Sequence, residues 1–191
     1  MTSLDGVAAG PMEMAAQWLP GGPNPCVMTL STLDEGTPDS RTVVLSLIDA
    51  EGFHFHTDAA SRKVTHIAAD PHVALTILLA EQSRQVVVQG TAAQVTSDEA
   101  AQAYADRSPY LKQLAWLNTH EFAMLPEDER QERWAAFAAE HGDDLTPAPG
   151  WIGFRVTPTR VSFWSGAPDT ASRRLEYRRG PGGWETSLRA G

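Results

Sequence analysis

The sequence predicts a mainly β chain with added helices, an α+β fold in which antiparallel strands curl into a closed or partly closed barrel with helices on its outside. Three observations carry this. Apolar residues alternate with a period of two, enriched in β-branched types, over 26–58, 72–80 and 84–95, and strand character returns over 151–189. Turn signals rather than helices separate most of these runs, which argues against a doubly wound parallel sheet. With about eight strands and four helices in 191 residues, closure is the economical way to remove the edges that many short strands would expose.

The elements follow in order. Residues 1–23 are rich in Ala, Gly, Met and Pro and read as a loose or short helical N-terminal arm, with GGPNP at 21–25 as turn punctuation. Residues 24–191 are expected to form a single domain. CVMTLSTLDEGTPDSRTVVLSLIDAEGFHFHTD contains three antiparallel strands, divided at DEGTPD and DAEG, with 41–48 and 53–57 as partners across a turn at 49–52. Ser61 is placed to cap a short helix, RKVTHIAAD, which Pro71 closes. Two more strands, HVALTILLA and RQVVVQGTAAQV, precede a helix with a serine cap at Ser97 and an acidic first turn. LKQLAWLNTHEF and PEDERQERWAAFAAEHG are helical, the second opening on proline and stopping at Gly142. DDLTPAP is a loop, and WIGFRVTPTRVSFWSG, RRLEYRR and GWETSLR close the chain as strands. No internal repeat or low-complexity tract is present.

Composition narrows the function. A hydrophobic fraction of 42% and a charged fraction of 20% are those of an ordinary globular protein. Fifteen basic against 24 acidic residues give −9, a field that repels nucleic acid and anionic membrane, so any bound anion must be held locally. A single cysteine, no leader-like opening and no apolar run of about 18 residues make the cytoplasm the expected compartment.

Thr57, Ser61, Arg62 and Lys63 cross a strand-to-helix junction, where backbone N–H groups and two cations favour an anion such as phosphate. Arg41 begins the preceding strand and can join the same pocket. A serine cap with solvated Arg and Lys explains the same residues. Gln85 offers donor and acceptor to the edge of a heterocycle, or is an edge-strand polar residue. Trp164 is a ring wall or a core residue. Arg173, Arg174, Arg178 and Arg179 read as a solvated strand face. His54 and His56 share a strand face, yet two imidazoles make only half a zinc site, and no metal is expected. Cys26 reads as a small buried hydrophobe. No phosphate loop, nucleophile elbow or cysteine nucleophile is found.

Taken in order, SRTVVL (40–45), FHFHTDAASRK (53–63), DPHVAL (70–75), RQVVVQG (84–90), PAPGWIGFRVTP (147–158) and FWSG (163–166) resemble the pyridoxamine 5′-phosphate oxidase family of FMN-binding split barrels. The resemblance covers about residues 24 to 191. It implies an antiparallel Greek-key barrel flanked by helices, and a homodimer with FMN at the subunit interface. The family's flavin contacts fall on Arg41, Thr42, Val43 and Val44; on His56 and Thr57; on Arg62 and Lys63; and on Gln85, Trp164 and Arg174. Arg41, Thr57, Arg62 and Lys63 would hold the phosphate, and Gln85 with adjacent backbone would meet the isoalloxazine edge.

The chain departs from the family where the substrate is read. Ser46 stands in place of a lysine that contacts the vitamin phosphate. Thr170-Ala171-Ser172-Arg173-Arg174 stands in place of R-L-H-D-R, so Thr170 and Ser172 replace the substrate-side arginine and histidine. His120 and Glu121 fall on a Gln-Ser pair that reaches FMN, and Arg107 matches a substrate-phosphate arginine. The resemblance implies an FMN-dependent oxidoreductase that passes hydride between a small substrate, an aromatic secondary metabolite being one candidate, and flavin N5. Oxygen is the expected acceptor, and Trp116, Phe122 and Trp151 are candidates for an aromatic pocket. The alternatives are an authentic pyridoxamine or pyridoxine 5′-phosphate oxidase, or a non-catalytic flavin- or haem-binding module with His54, His56 or His120 as axial ligand. A coenzyme F420-dependent reductase is disfavoured by the intact Arg41, Arg62, Lys63 and Gln85.

Overall fold

Period-two patterning becomes ladder in the computed structural model, which describes residues 10–19, 26–142 and 145–191. The turn expected at 21–25, the ends of the expected N-terminal arm and positions 143 and 144 of the expected loop lie outside those residues. Within the arm, α1 (Pro11–Trp18) is a helix that starts on proline, whose fixed φ suits a first turn. β1 (Cys26–Asp34) and β2 (Thr37–Leu45) form a hairpin. Its two-residue turn puts Glu35 at φ 48 and Gly36 at φ 83, the left-handed pair that matches strand twist.

The strand expected at 41–48 breaks at Ser46. Residues up to Leu45 pair with β1, while β3 (Leu47–Ile48) pairs with β4 (Phe53–Asp58), and the Ser46 N–H donates to His54 O at 2.8 Å where the partner changes. Four strands therefore stand where three were expected, and Arg41 pairs with Leu30 of β1 instead of lying alongside 53–57. α2 (Arg62–Ala69) follows Ser61, whose hydroxyl accepts from Lys63 Nζ and caps no backbone N–H. β5 (His72–Leu79), a 3-10 turn at Ala80–Gln82 and β6 (Arg84–Gln94) come next. α3 (Ser97–Ala105) is capped by Thr96, not Ser97: the Thr96 hydroxyl accepts from the Glu99 N–H, and the Glu99 carboxylate accepts from the Thr96 N–H at 2.9 Å, a closed capping box. One expected helix divides at Asn118 into α4 (Pro109–Leu117) and α5 (His120–Ala123), because the Thr119 hydroxyl starts a new turn by accepting from Phe122 N–H. α6 (Glu127–His141), β7 (Trp151–Ala167), β8 (Thr170–Gly180) and β9 (Gly183–Ala190) complete the chain.

The nine strands form one sheet in the order β2-β1-β5-β6-β7-β4-β3, with β8 on β7 and β9 on β8. β7 runs for 17 residues through Pro158, a residue that cannot donate to a ladder. The register shifts by one at Gln89 and Gly90, so Pro158 stands opposite Gly90 at the bulge. A β-carbon on Gly90 would enter the Thr157 carbonyl, so only glycine fits there.

By backbone contact the chain divides into two units: residues through 55, 61–94 and 154–191, and residues 56–60 with 95–153. The core of the first is a cross-strand row. Leu30, Leu75, Val88, Val161 and Tyr177 are opposite one another on β1, β5, β6, β7 and β8, and none is more than 1% exposed. One pleat along, Ile77, Val86, Phe163 and Leu175 make a second buried row. α1 covers this face, with Trp18 edge-on to Phe163 at 5.3 Å and the Tyr177 hydroxyl on Met14 Sδ. On the opposite face Glu176 is buried, accepts from Ser162 Oγ, and has Arg160, Arg178 and Arg189 within 3.7–3.9 Å. Of the arginine run expected to be solvated, Arg178 and Arg179 are exposed, whereas Arg173 and Arg174 are half-buried. Cys26, expected to be buried, is half-buried.

In the second unit Tyr104 is the most buried large side chain, with Trp116 Nε1 donating to its hydroxyl at 3.1 Å and the hydroxyl donating to Lys112 O. Gln113 is buried and donates to Trp134 O at 2.6 Å, tying α4 to α6. Leu114, Leu117, Phe122 and Trp134 face a cavity of about 410 Å³ between α4, α5 and α6.

The 49–52 turn is built around one carboxylate. Asp49 accepts the N–H groups of Glu51 and Gly52 at 2.8 and 2.9 Å and meets His54 Nε2 at 2.8 Å. Partial burial pushes its carboxyl up, but the two N–H donors and His54 outweigh that and hold it below the ordinary range. A depressed folded value means that the stabilisation is present above the unfolded value of about 3.9 and is lost as pH falls through the folded value. Asp49→Asn is therefore expected to lower stability at pH 7 by about 1 kcal/mol, allowing for solvent screening of the exposed carboxylate. It should also flatten the acid limb of the urea midpoint measured from pH 6 to pH 2.

Candidate functional site

Alternation on β2 sends Asp39 and Arg41 to one face, half-buried at the margin of the core. Arg41 Nη1 donates to Thr32 Oγ1 at 2.7 Å and to Leu30 O at 3.3 Å, and Nη2 lies 2.5 Å from Asp39 Oδ2. The first residue of α2, Arg62, brings Nη2 within 3.7 Å of the same oxygen while leaving 83% of its side chain in solvent. Two guanidinium groups from different elements thus converge on one carboxylate. The donor set is that of an anion site, with Asp39 as the anion in place. Burial pushes the Asp39 carboxyl up, but Arg41, Arg62 and His66 together hold it below the usual carboxylate range. Beneath it His66, a buried residue of α2, is 3.0 Å from Thr32 Oγ1 through Nδ1. The Thr32 hydroxyl accepts from Arg41, and its hydrogen bond with that ring nitrogen runs in the direction the imidazole tautomer sets. Lys63, next along α2, donates to Ser61 Oγ. Sequence reasoning missed Asp39, Thr32 and His66, although Asp39 and Arg41 at i and i+2 of a strand carried the signal.

A second group lies in a single cross-strand row. Gln85 on β6 is opposite Trp164 on β7, and Trp164 is opposite Arg174 on β8; all three are half-buried. An amide, an indole and a guanidinium thus share one face, the complement a flat heterocycle with polar edges requires. Two residues along β8, the carbonyl of half-buried Ser172 accepts from Gly191 N–H at 3.2 Å, and Thr170 is exposed opposite Ala167. Of the β2 residues expected to contact flavin, Thr42 is exposed and Val43 and Val44 are half-buried. Ser46 is exposed at the joint between β2 and β3.

The remaining candidates, His54 excepted, belong to the second unit. His56 is buried and stacks on Trp151 at 5.0 Å with the rings 4° from parallel. The Arg107 guanidinium lies 4.4 Å from the centre of the Trp151 ring. Trp151 Nε1 is fixed by donation to Ala100 O at 2.8 Å, and Tyr104 meets its ring edge-on. Gly153 makes the stack possible, since a β-carbon there would lie 2.6 Å from the His56 ring. Arg107 also donates to Leu111 O at 3.3 Å, and burial lowers its pKa to about 10, so it stays charged at neutral pH. Thr57 follows on β4, half-buried; His120 and Glu121 are exposed on α5, Phe122 lines the helix cavity, and Trp116 donates to Thr146 O. His54 is engaged by Asp49. Among the described residues no group of three or more His, Cys, Asp or Glu side chains is arranged to hold a metal ion, and no helix is long and apolar enough to cross a membrane.

Comparison with known proteins gives these positions a frame. The family model described as pyridoxamine 5′-phosphate oxidase matches residues 15–165, and that described as pyridoxine 5′-phosphate oxidase C-terminal dimerisation region matches residues 151–190. A pyridoxine/pyridoxamine 5′-phosphate oxidase from Salinibacter ruber is 36% identical over 186 residues, spanning 93% of this chain and 86% of its own. Among solved structures, PhzG from Burkholderia lata, in complex with tetrahydrophenazine-1-carboxylic acid, superposes with a TM-score of 0.79 at 24% identity, covering 98% of this chain and 95% of its own. A pyridoxamine 5′-phosphate oxidase-related, FMN binding protein from Nostoc punctiforme gives 0.68 at 19% identity, covering 87% and 88%. The fold is the split barrel these structures share, and the matched dimerisation region points to a homodimer. By family model and by relative alike, the chain belongs to the pyridoxamine 5′-phosphate oxidase family and is of the oxidoreductase class.

Proposed function

We propose that this protein is an FMN-dependent oxidoreductase acting on a small, apolar or aromatic substrate other than the vitamin phosphate. The observation that carries the cofactor half is the convergence of Arg41 and Arg62 on one carboxylate, a site whose chemistry fits a phosphate. The Gln85, Trp164 and Arg174 row supplies the matching polar and aromatic face for a ring system. In this reading Arg41, Arg62, Lys63 and Thr57 hold the phosphate. Thr42, Val43, Val44, His56, Gln85, Trp164 and Arg174 position the ring, and the sites form at a homodimer interface. When bound, the flavin would supply the hydride acceptor at N5, with oxygen as terminal oxidant. The chain's own work is to bind, to orient and to exclude water, since hydride transfer needs no side-chain acid or base.

The substrate half rests on what stands at the positions that would read a second phosphate. Ser46, Thr170 and Ser172 carry no charge, and Arg107 is committed to the Trp151 face and the Leu111 carbonyl. Each lost charged contact to a buried phosphate costs a few kcal/mol, so losing two or three weakens binding by several powers of ten. A reduced polycyclic acid, the ligand class of the Burkholderia lata neighbour, belongs in the first substrate panel. A second reading, an authentic pyridoxamine or pyridoxine 5′-phosphate oxidase, is favoured by the names of the relatives and by Arg107, which keeps its charge.

Two experiments test this. Arg62→Ala with Lys63→Ala is expected to leave a folded dimer that has lost at least about a hundredfold in FMN affinity; flavin content equal to wild type would refute the phosphate assignment. The visible spectrum of the FMN-loaded protein, recorded anaerobically, is expected to show a flavin band that persists on addition of pyridoxine 5′-phosphate. Rapid bleaching would establish the vitamin-oxidase reading in its place.

A further inference from the structure

Asp39 has a role that the flavin reading does not assign. Its Oδ2 lies 2.5 Å from Arg41 Nη2, 3.7 Å from Arg62 Nη2 and 3.8 Å from His66 Nδ1. Two guanidinium groups and one imidazole at this margin of the sheet are therefore directed at one oxygen. Nη1 of Arg41 is held by Thr32 and Leu30, which leaves Nη2, the nitrogen facing Asp39, as its better-placed donor for an anion. A phosphate reaching that donor must displace the carboxylate or sit beside it, and two anions at hydrogen-bonding separation repel. Phosphate can win, because it carries about −1.5 to −2 charges and three acceptor oxygens against one charge and two oxygens.

We propose that Asp39 is a resident counter-anion of the phosphate site, which keeps Arg41 and Arg62 paired before the cofactor arrives and competes with the cofactor phosphate once it does. The inference rests on the FMN reading of the site. It makes Asp39 a determinant of affinity and of phosphate selectivity: a ligand with a full phosphate displaces the carboxylate, and one without it gains nothing at this end. Asp39 is a positioning residue, since it acts through the arginines.

The test compares FMN and riboflavin binding to full-length apoprotein, wild type and Asp39→Asn, by flavin fluorescence quenching. Asparagine keeps an oxygen for Arg41 and removes the charge. The expected result is FMN affinity raised about tenfold or more in Asp39→Asn, with riboflavin affinity unchanged and a steeper fall of FMN affinity with added salt. Unchanged or weaker FMN binding would overturn the proposal and make Asp39 a plain orienting partner of Arg41. Asp39→Ser, checked for a wild-type melting curve, repeats the comparison if Asp39→Asn does not fold. Wild-type protein that binds neither flavin sinks the cofactor reading by itself. Calorimetry with inorganic phosphate then decides the counter-anion: tighter binding to Asp39→Asn supports it, and equal or absent binding overturns it.

Discussion

Strand register across β5 to β8 is the constraint on which the rest of the first unit depends. The pairing that lines up Leu75, Val88, Val161 and Tyr177 in one buried row also sets Gln85 opposite Trp164 and Trp164 opposite Arg174. The packed rows and the Gln85, Trp164 and Arg174 row share a single set of hydrogen bonds. A slip of one residue would turn the buried rows to solvent and scatter the three polar partners at once. The irregularity between β6 and β7, at Gly90 and Pro158, is placed where a missing donor and a missing side chain accommodate each other.

Charge is handled by the same economy. The chain carries 15 basic against 24 acidic residues, and five arginines of the first unit are gathered around two carboxylates. Glu176 collects Arg160, Arg178 and Arg189 on one face of the sheet, and Asp39 collects Arg41 and Arg62 on the other margin. The two clusters differ in access. Glu176 is buried, whereas Asp39 is half-buried and Arg62 stays largely in solvent, so the Asp39 carboxylate is the more accessible of the two. Arginine suits both, because its planar fork can serve two acceptors while remaining charged.

Much of this was legible in the sequence, for physical reasons that also explain the misses. Alternation and turn residues located the strands, and proline and glycine located the ends of α6, because these signals act within a few residues. The break at Ser46 was not legible: 41–48 alternates without interruption, and only the competition between β1 and β4 for its ladder divides it. Thr96 took the cap from Ser97 because Glu99 completes a reciprocal box from that position alone. Arg41, Gln85 and Trp164 were singled out from the residues themselves, whereas Thr42, Val43, Val44 and the flavin role of Arg174 came by resemblance. Asp39 was not found, since its importance lies in Arg62, which is distant in sequence and near in space.

The joint at Ser46 carries a consequence for how such a protein changes over time. Its backbone N–H ties β2 to β4 through the His54 carbonyl whatever the side chain is, and the side chain itself is exposed. Substitution there leaves that backbone hydrogen bond available to any residue except proline. The joint itself is thus set by the main chain, and under the proposed function this makes position 46 a place where the charge offered to a ligand can change while the strand pairing on either side is kept.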